Sequence, residues 1–288
     1  MRANKTNLAV LALATLVVLA FLLHRPPKEQ KPTPAEPRAV SIARPEAPTP
    51  TAAASLKPAP TVVTPPPATP PVQGPPGTVR GTVKIGGNVP PPRKVRIQSD
   101  PKCEAMHAGV VLNESLVTDA VGNVQWAFVQ VKSGPTGTPP PAPAETVVLD
   151  QFRCVFVPHM VGVRVGQPVR VTSRDNLLHN VHGLPFENKE FNVALPQPGL
   201  DIVRTFDKPE VFVIKCDIHP WMRACVGIVD HPFWAITNEL GSYVIRDLPP
   251  GKFTLEVWHE MYKPVTRQVV VLPGGDVSLD FVLDAKRD

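Results

Sequence analysis

The chain reads as an all-β protein, and three features of its sequence predict this. Runs such as 78–85 and 94–98 alternate apolar and polar residues, the period of a strand with one buried face. Residues 124–131 carry little polarity and 211–214 are almost continuously apolar, as expected of a strand buried in a sandwich core. Clusters of glycine, proline and asparagine, Gly86-Gly87-Asn88 and the segment 134–143, punctuate them as turns and surface loops. The expected architecture is a Greek-key β-sandwich over 78–232, followed by a smaller β-sandwich over 233–288.

The elements follow in chain order. Residues 8–23 are apolar apart from Thr15 and lie between Arg2 and Lys5 on one side and His24-Arg25 on the other, so residues 1–25 read as an export segment and an apolar helix. It is retained as a signal anchor or removed as a signal peptide; no small-x-small cleavage pattern follows Leu23. Residues 26–77 hold 17 of the 38 prolines and show no hydrophobic periodicity, which predicts a disordered, semi-rigid linker. Beyond it, strands are expected at 78–85, 94–98 and 124–131, one helical turn over 100–107, two strands within 149–171 around Pro158-His159, one strand running into Cys216, and another at 224–229.

The charge is concentrated outside the folded part. Residues 1–77 carry eight Lys/Arg against three Asp/Glu, and residues 78–288 carry 22 of each sign, so the first segment accounts for the whole net charge of +5. With no net-positive domain and no aromatic residues interleaved with a basic stripe, a nucleic-acid partner is not expected.

The chemistry gathers in Cys216-Asp217-Ile218-His219-Pro220-Trp221-Met222, read with His179-Asn180-Val181-His182 upstream. A thiolate, an imidazole and a thioether at steps of three in one short loop, facing an imidazole from a distant loop, make the His₂Cys set with a weak axial Met that suits copper in both oxidation states. Structural zinc uses paired Cys or His spacings and has no use for a methionine.

These residues resemble the ligand loops of the cupredoxin family, and the spacing of His219 to Met222 looks like the amicyanin type. Phe156-Val157-Pro158, the run 163–169 and the loop 175–182 are similar to the strand, turn and strand before a cupredoxin's first ligand histidine. The resemblance implies one type 1 copper ion held by His179, Cys216, His219 and Met222. It implies that Asn180 ties the two ligand loops together and that His182 is not a ligand. Trp221 is expected to lie beside a solvent-facing His219 as part of an apolar docking patch, and Pro220 to stiffen the loop and remove a donor.

From Phe233 the pattern changes. Thr237-Asn238-Glu239-Leu240-Gly241-Ser242-Tyr243-Val244-Ile245 and the run 248–257 look like a carboxypeptidase regulatory-like, prealbumin-type domain, with further strands at 265–272 and 277–283. This is short for that domain. Val79-Arg80-Gly81-Thr82-Val83 resembles such a domain's first strand and could complete it across the copper domain. Thr118-Asp119-Ala120-Val121-Gly122 echoes the 237–241 turn, and both are expected to be hairpin turns.

Export implies an oxidising compartment. Of the four cysteines, Cys216 is assigned to the metal; Cys103 and Cys154, at strand edges outside the metal loops, are the expected disulfide over other pairings, leaving Cys225 as a buried thiol in an apolar strand. His159, His182, His231 and His259 show no carboxylate or cysteine at ligand spacing and are expected to be surface or hydrogen-bonded histidines. With no nucleophile triad, paired carboxylates or phosphate loop, the chain is not expected to be an enzyme. The expectation is a periplasmic or otherwise extracytoplasmic one-electron carrier between redox protein partners, membrane-tethered through its first segment. An envelope copper-delivery protein and a surface interaction module are the alternatives.

Overall fold

The computed structural model describes residues 73–284. The export segment and nearly all of the proline-rich linker lie outside the described residues. Among the described residues no helix is long and apolar enough to cross a membrane. The described residues are all-β, with one five-residue α-helix among them, Pro101–Ala105.

Four sheets form two sandwiches. In the first, a five-stranded sheet runs Phe191–Leu195, His179–Leu184, Glu210–Lys215, Arg223–Val229, Met160–Arg164, and faces a four-stranded sheet of Ile202–Arg204, Val169–Ser173, Val147–Phe152 and Val155–Val157. Period-two patterning explains the core between them: Val169, Val171 and Ser173 point in while Arg170 points out, and Phe212 and Ile214 point in from their strand. Leu149, Phe156, Val163, Val181 and Val226 complete the layer.

The second sandwich pairs a sheet of Ser242–Leu248, Gly77–Ile85 and Asp276–Ser278, with Phe281–Leu283 also on Gly77–Ile85, against a sheet of Trp234–Ile236, Phe128–Ser133, Gly251–His259 and Tyr262–Val271. Its core holds Val79, Val83, Val129, Ile245, Phe253, Leu255 and Phe281. The expected boundary at 232/233 is therefore corrected. Gly77–Ile85 and Phe128–Ser133 are paired within the second sandwich and leave the first one entirely. The inward residues Val79, Val83 and Ile85 supply a strand that the segment after 233 lacks, and the first sandwich is inserted into the second.

Two local expectations also change. Residues 94–98 form no strand: Lys94 makes a single bridge with Leu112, Ile97–Ser99 is a 3₁₀ turn, and Ile97 and the preceding Val95 are buried in the first core. The 124–131 strand breaks at Trp126, whose φ of 67° lies in the left-handed region, giving Val124–Gln125 and Phe128–Ser133. The echoed turns share their chemistry. Asp119 Oδ1 accepts from the backbone of Val121 and Asn123, and Asn238 Oδ1 accepts from Leu240 and Ser242, the same side-chain-to-backbone turn twice, both beside strand Gly77–Ile85 of the second sandwich.

Where the sandwiches meet, Gly227 pairs with Gly162 across neighbouring strands. Their missing side chains leave a flat patch on which the stacked rings of Phe128 and Trp234 lie, centroids 5.5 Å apart. A Cβ at Gly162 would sit 2.2 Å from the Trp234 ring, and one at Gly227 2.7 Å from the Phe128 ring. Gly162→Ala is expected to lower stability by about 1–3 kcal/mol through this overpacking, read from chemical denaturation midpoints. An unchanged midpoint would mean that the two layers are not pressed together here.

Candidate metal centre

The donors converge at one end of the first sandwich. His179 opens the strand His179–Leu184, and Cys216 follows directly on Glu210–Lys215, the strand beside it. The loop from Cys216 closes on itself, because Cys216 N donates to Met222 O at 3.1 Å and Met222 N donates to His219 O at 2.9 Å. This turn returns His219 over the thiol. The Nδ1 atoms of His179 and His219 lie 3.0 Å apart, Cys216 Sγ lies 3.7 Å from His219 Nδ1, and one donor atom from each of the three falls within 4.8 Å of the others. Met222 is buried in the same core. All four expected ligands are thus drawn to one buried end of the sandwich.

The far nitrogen of each imidazole meets a carboxylate that the sequence reading did not include. His179 Nε2 lies 3.1 Å from Asp175 Oδ2, and His219 Nε2 lies 3.3 Å from Asp100 Oδ2. Such partners fix ring orientation and tautomer, leaving Nδ1 of each ring to face the other donors. Asp175 is itself anchored: it accepts from the backbone N–H groups of Arg153 at 2.6 Å and Cys154 at 2.7 Å. Those two residues hold φ values of 56° and 57°, left-handed backbone at a hairpin tip that turns both N–H groups toward the carboxylate. Asp100 caps the Pro101–Ala105 helix by accepting from Lys102 N and Cys103 N.

Asn180 ties the two loops as the resemblance implied. Its Oδ1 accepts from Asp217 N at 2.7 Å, and its Nδ2 donates to Asn192 and Asp217. His182 points away from the donors, held by Asp217 at 2.9 Å and Glu190 at 2.9 Å. Pro220 is exposed. The structure joins Cys103 to Cys154, pinning the short helix to the hairpin that carries Arg153; a sulfur of each lies within 4.8 Å of a His219 nitrogen. Cys225 is buried.

One expectation about exposure is corrected. His219 does not face solvent: it is only 3% exposed, because Asp100 and the disulfide cover its far edge. Trp221 is half-buried, its ring centroid 5.2 Å from that of His219, and its Nε1 donates to Cys154 O at 3.0 Å. It closes the cover as well as bordering the surface.

Cys216 and His179 are charged before any ion arrives. Burial pushes the Cys216 thiol up, but hydrogen bonds from His179 and His219 outweigh it and bring it down to about 6. Burial pushes the His179 imidazole down, and the hydrogen bonds to Asp175 and Cys216 outweigh that and raise it to about 9. Between these values the metal-free site holds a thiolate beside an imidazolium, so a metal must displace the imidazole proton. Affinity is therefore expected to rise about tenfold per pH unit from 6 to 9, more steeply below 6 where the thiol is also protonated, and to level off above 9. Titration of the metal-free protein with Cu(I) under competing chelator checks this; a flat profile from 6 to 9 would contradict the assignment of the proton to His179.

Residues 223–284 match the family model of the carboxypeptidase regulatory-like domain. The match starts ten residues before the expected Phe233 and so includes the strand Arg223–Val229, which pairs within the first sandwich. A comparison with curated protein sequences finds no match. Among solved structures, the chain is similar to a purple cupredoxin from Nitrosopumilus maritimus at 20% identity, covering 29% of this chain and 99% of that one with a TM-score of 0.26. It is similar to a mutant of amicyanin in the Cu(I) form at 23% identity, covering 35% of this chain and 98% of that one with a TM-score of 0.27. Pseudoazurin from Methylobacterium extorquens AM1 matches at 23% identity, covering 30% of this chain and 76% of that one with a TM-score of 0.26. The class that the chain's own features define is an all-β protein of two interleaved sandwiches, with residues 223–284 matching the carboxypeptidase regulatory-like domain.

Proposed function

We propose that this chain is an extracytoplasmic type 1 copper protein that carries single electrons between redox partners and catalyses no reaction of its own. The observation that carries the reading is the convergence of His179 Nδ1, His219 Nδ1 and Cys216 Sγ in a buried pocket, each ring braced from behind by a carboxylate. Two imidazoles and a thiolate, with Met222 in the same loop, are the mixed nitrogen and sulfur set that fits copper. Bound there, copper supplies a one-electron couple.

The protein's part is to hold the donors still. Asp175, Asp100 and Asn180 fix the two rings and the loop between them, so the donor positions suited to one oxidation state serve the other. The cover over His219 keeps water from the centre. A buried centre also favours the carrier over copper delivery, since hand-off of the ion needs an open edge. The disulfide supports an oxidising compartment.

The test is the visible and electron paramagnetic resonance spectrum of the Cu(II)-loaded protein. An intense thiolate-to-copper band with narrow hyperfine splitting is expected, with a reversible one-electron potential. A pale tetragonal spectrum would remove the carrier reading.

A further inference from the structure

We infer that the chain holds a second metal site, for a zinc-class divalent cation, where the two sandwiches meet: His159, Cys225 and Glu260. These residues are far apart in the sequence and come from different layers. His159 precedes the strand Met160–Arg164, Cys225 lies in the adjoining strand Arg223–Val229, and Glu260 sits in the turn between Gly251–His259 and Tyr262–Val271 of the second sandwich. One ligand atom from each falls within 4.8 Å of the other two. A single ion with bonds of about 2.0–2.3 Å holds its ligand atoms about 3–4 Å apart, a spacing that side-chain adjustment can reach from the separations here.

The cluster is buried. His159 is 4% exposed, Cys225 2%, and the Glu260 side chain 5%. His159 Nε2 lies 2.5 Å from Glu260 Oε1, and Arg223 Nε lies 3.3 Å from Glu260 Oε2. The other ring nitrogen, His159 Nδ1, is buried with no hydrogen-bond partner in the protein. Leaving such an atom unsatisfied costs about 1–3 kcal/mol. An ion taking the place of the short His159–Glu260 contact would have His159 Nε2 and Glu260 Oε1 as ligands on one side of the ring, with Nδ1 on the other.

The donor types select the ion. One thiolate, one imidazole and one carboxylate suit a borderline cation of the zinc class, and the sulfur is unsuited to magnesium or calcium. Three protein ligands leave a fourth position for water. Because His159 and Cys225 come from one sandwich and Glu260 from the other, the ion also clamps them together.

The copper ligands would confuse a direct count, so the test uses the full chain with Cys216→Ala. Incubated with Zn(II) and dialysed, this variant is expected to retain about one equivalent by elemental analysis. Its Co(II) form is expected to show a thiolate-to-cobalt absorption. Adding Cys225→Ser is expected to abolish that absorption, and His159→Gln to weaken zinc binding at least 100-fold, with unchanged circular dichroism certifying the fold. Zinc removal from the Cys216→Ala protein is expected to lower its Tm. Overturning results are no zinc retained by Cys216→Ala, or retention that Cys225→Ser and His159→Gln leave unchanged. A bound water on His159 Nδ1, with no metal, would produce the first of these.

Discussion

Replacing Cys216 by alanine is expected to abolish the intense colour of the Cu(II)-loaded protein, whereas Cys225→Ala is expected to keep it. The colour of such a centre comes from charge transfer between sulfur and copper, so it requires a thiolate bonded to the ion. Both cysteines are buried, and neither lies in the disulfide. Only Cys216 lies 3.7 Å from the His219 nitrogen that faces His179. Cys225 pairs in register with Met160, on the side of its strand that packs toward the second sandwich. Absorption titrations of the two variants with Cu(II) separate the roles. Retained colour in Cys216→Ala, or lost colour in Cys225→Ala with an intact fold, would reverse the assignment.

The second large effect concerns Gly81, in the strand that the second sandwich draws from the beginning of the folded chain. Gly81→Val is expected to destabilise the protein by on the order of 3 kcal/mol or more. A Cβ there would stand 2.0 Å from the carbonyl oxygen of Leu279 and 2.6 Å from its carbonyl carbon. That backbone has no freedom to retreat. Leu279 N donates to Arg80 O at 2.8 Å, and the same Leu279 oxygen accepts from the buried Tyr243 hydroxyl at 2.5 Å. Moving Leu279 also disturbs the pairing of Gly77–Ile85 with the strands before and after it, Asp276–Ser278 and Phe281–Leu283. Thermal unfolding is expected to begin several degrees lower, at roughly 2–4 °C per kcal/mol for a chain of this size. A Tm equal to that of the parent would place strand 77–85 elsewhere.

What the sequence disclosed was whatever is encoded locally. The metal loop was legible because Cys216, His219 and Met222 lie within seven residues, and Asn180 because it follows His179. Asp175 was within reach of the same reasoning, four residues before His179, but an acidic residue in a loop has many uses. Asp100 was not legible: it meets His219 across 119 residues of chain, and its local role is an ordinary helix cap. His159, Cys225 and Glu260 are separated in the same way. Strand periodicity reported which faces are buried and left open which sheet receives them, so continuity along the chain put 128–133 in the wrong sandwich and drew the boundary before 78–85, whereas the resemblance of Val79–Val83 to a regulatory-like first strand pointed to its true place in the second sandwich. The apolar run 211–214 misled less. Phe212 and Ile214 enter the first core, while Val211 and Val213 pack toward the second sandwich, so both faces of that strand are covered.

The interleaving has a mechanical consequence. The folded chain enters at Gly77 and leaves near Leu283 through one sandwich, and its first strand runs parallel to the two short strands at its end. A pull transmitted along the leading segment is therefore taken up as shear along Gly77–Ile85, against several backbone hydrogen bonds at once. The inserted sandwich hangs outside that load line. The distances among His179, Cys216 and His219 are thereby insulated from tension in the segment that precedes the fold.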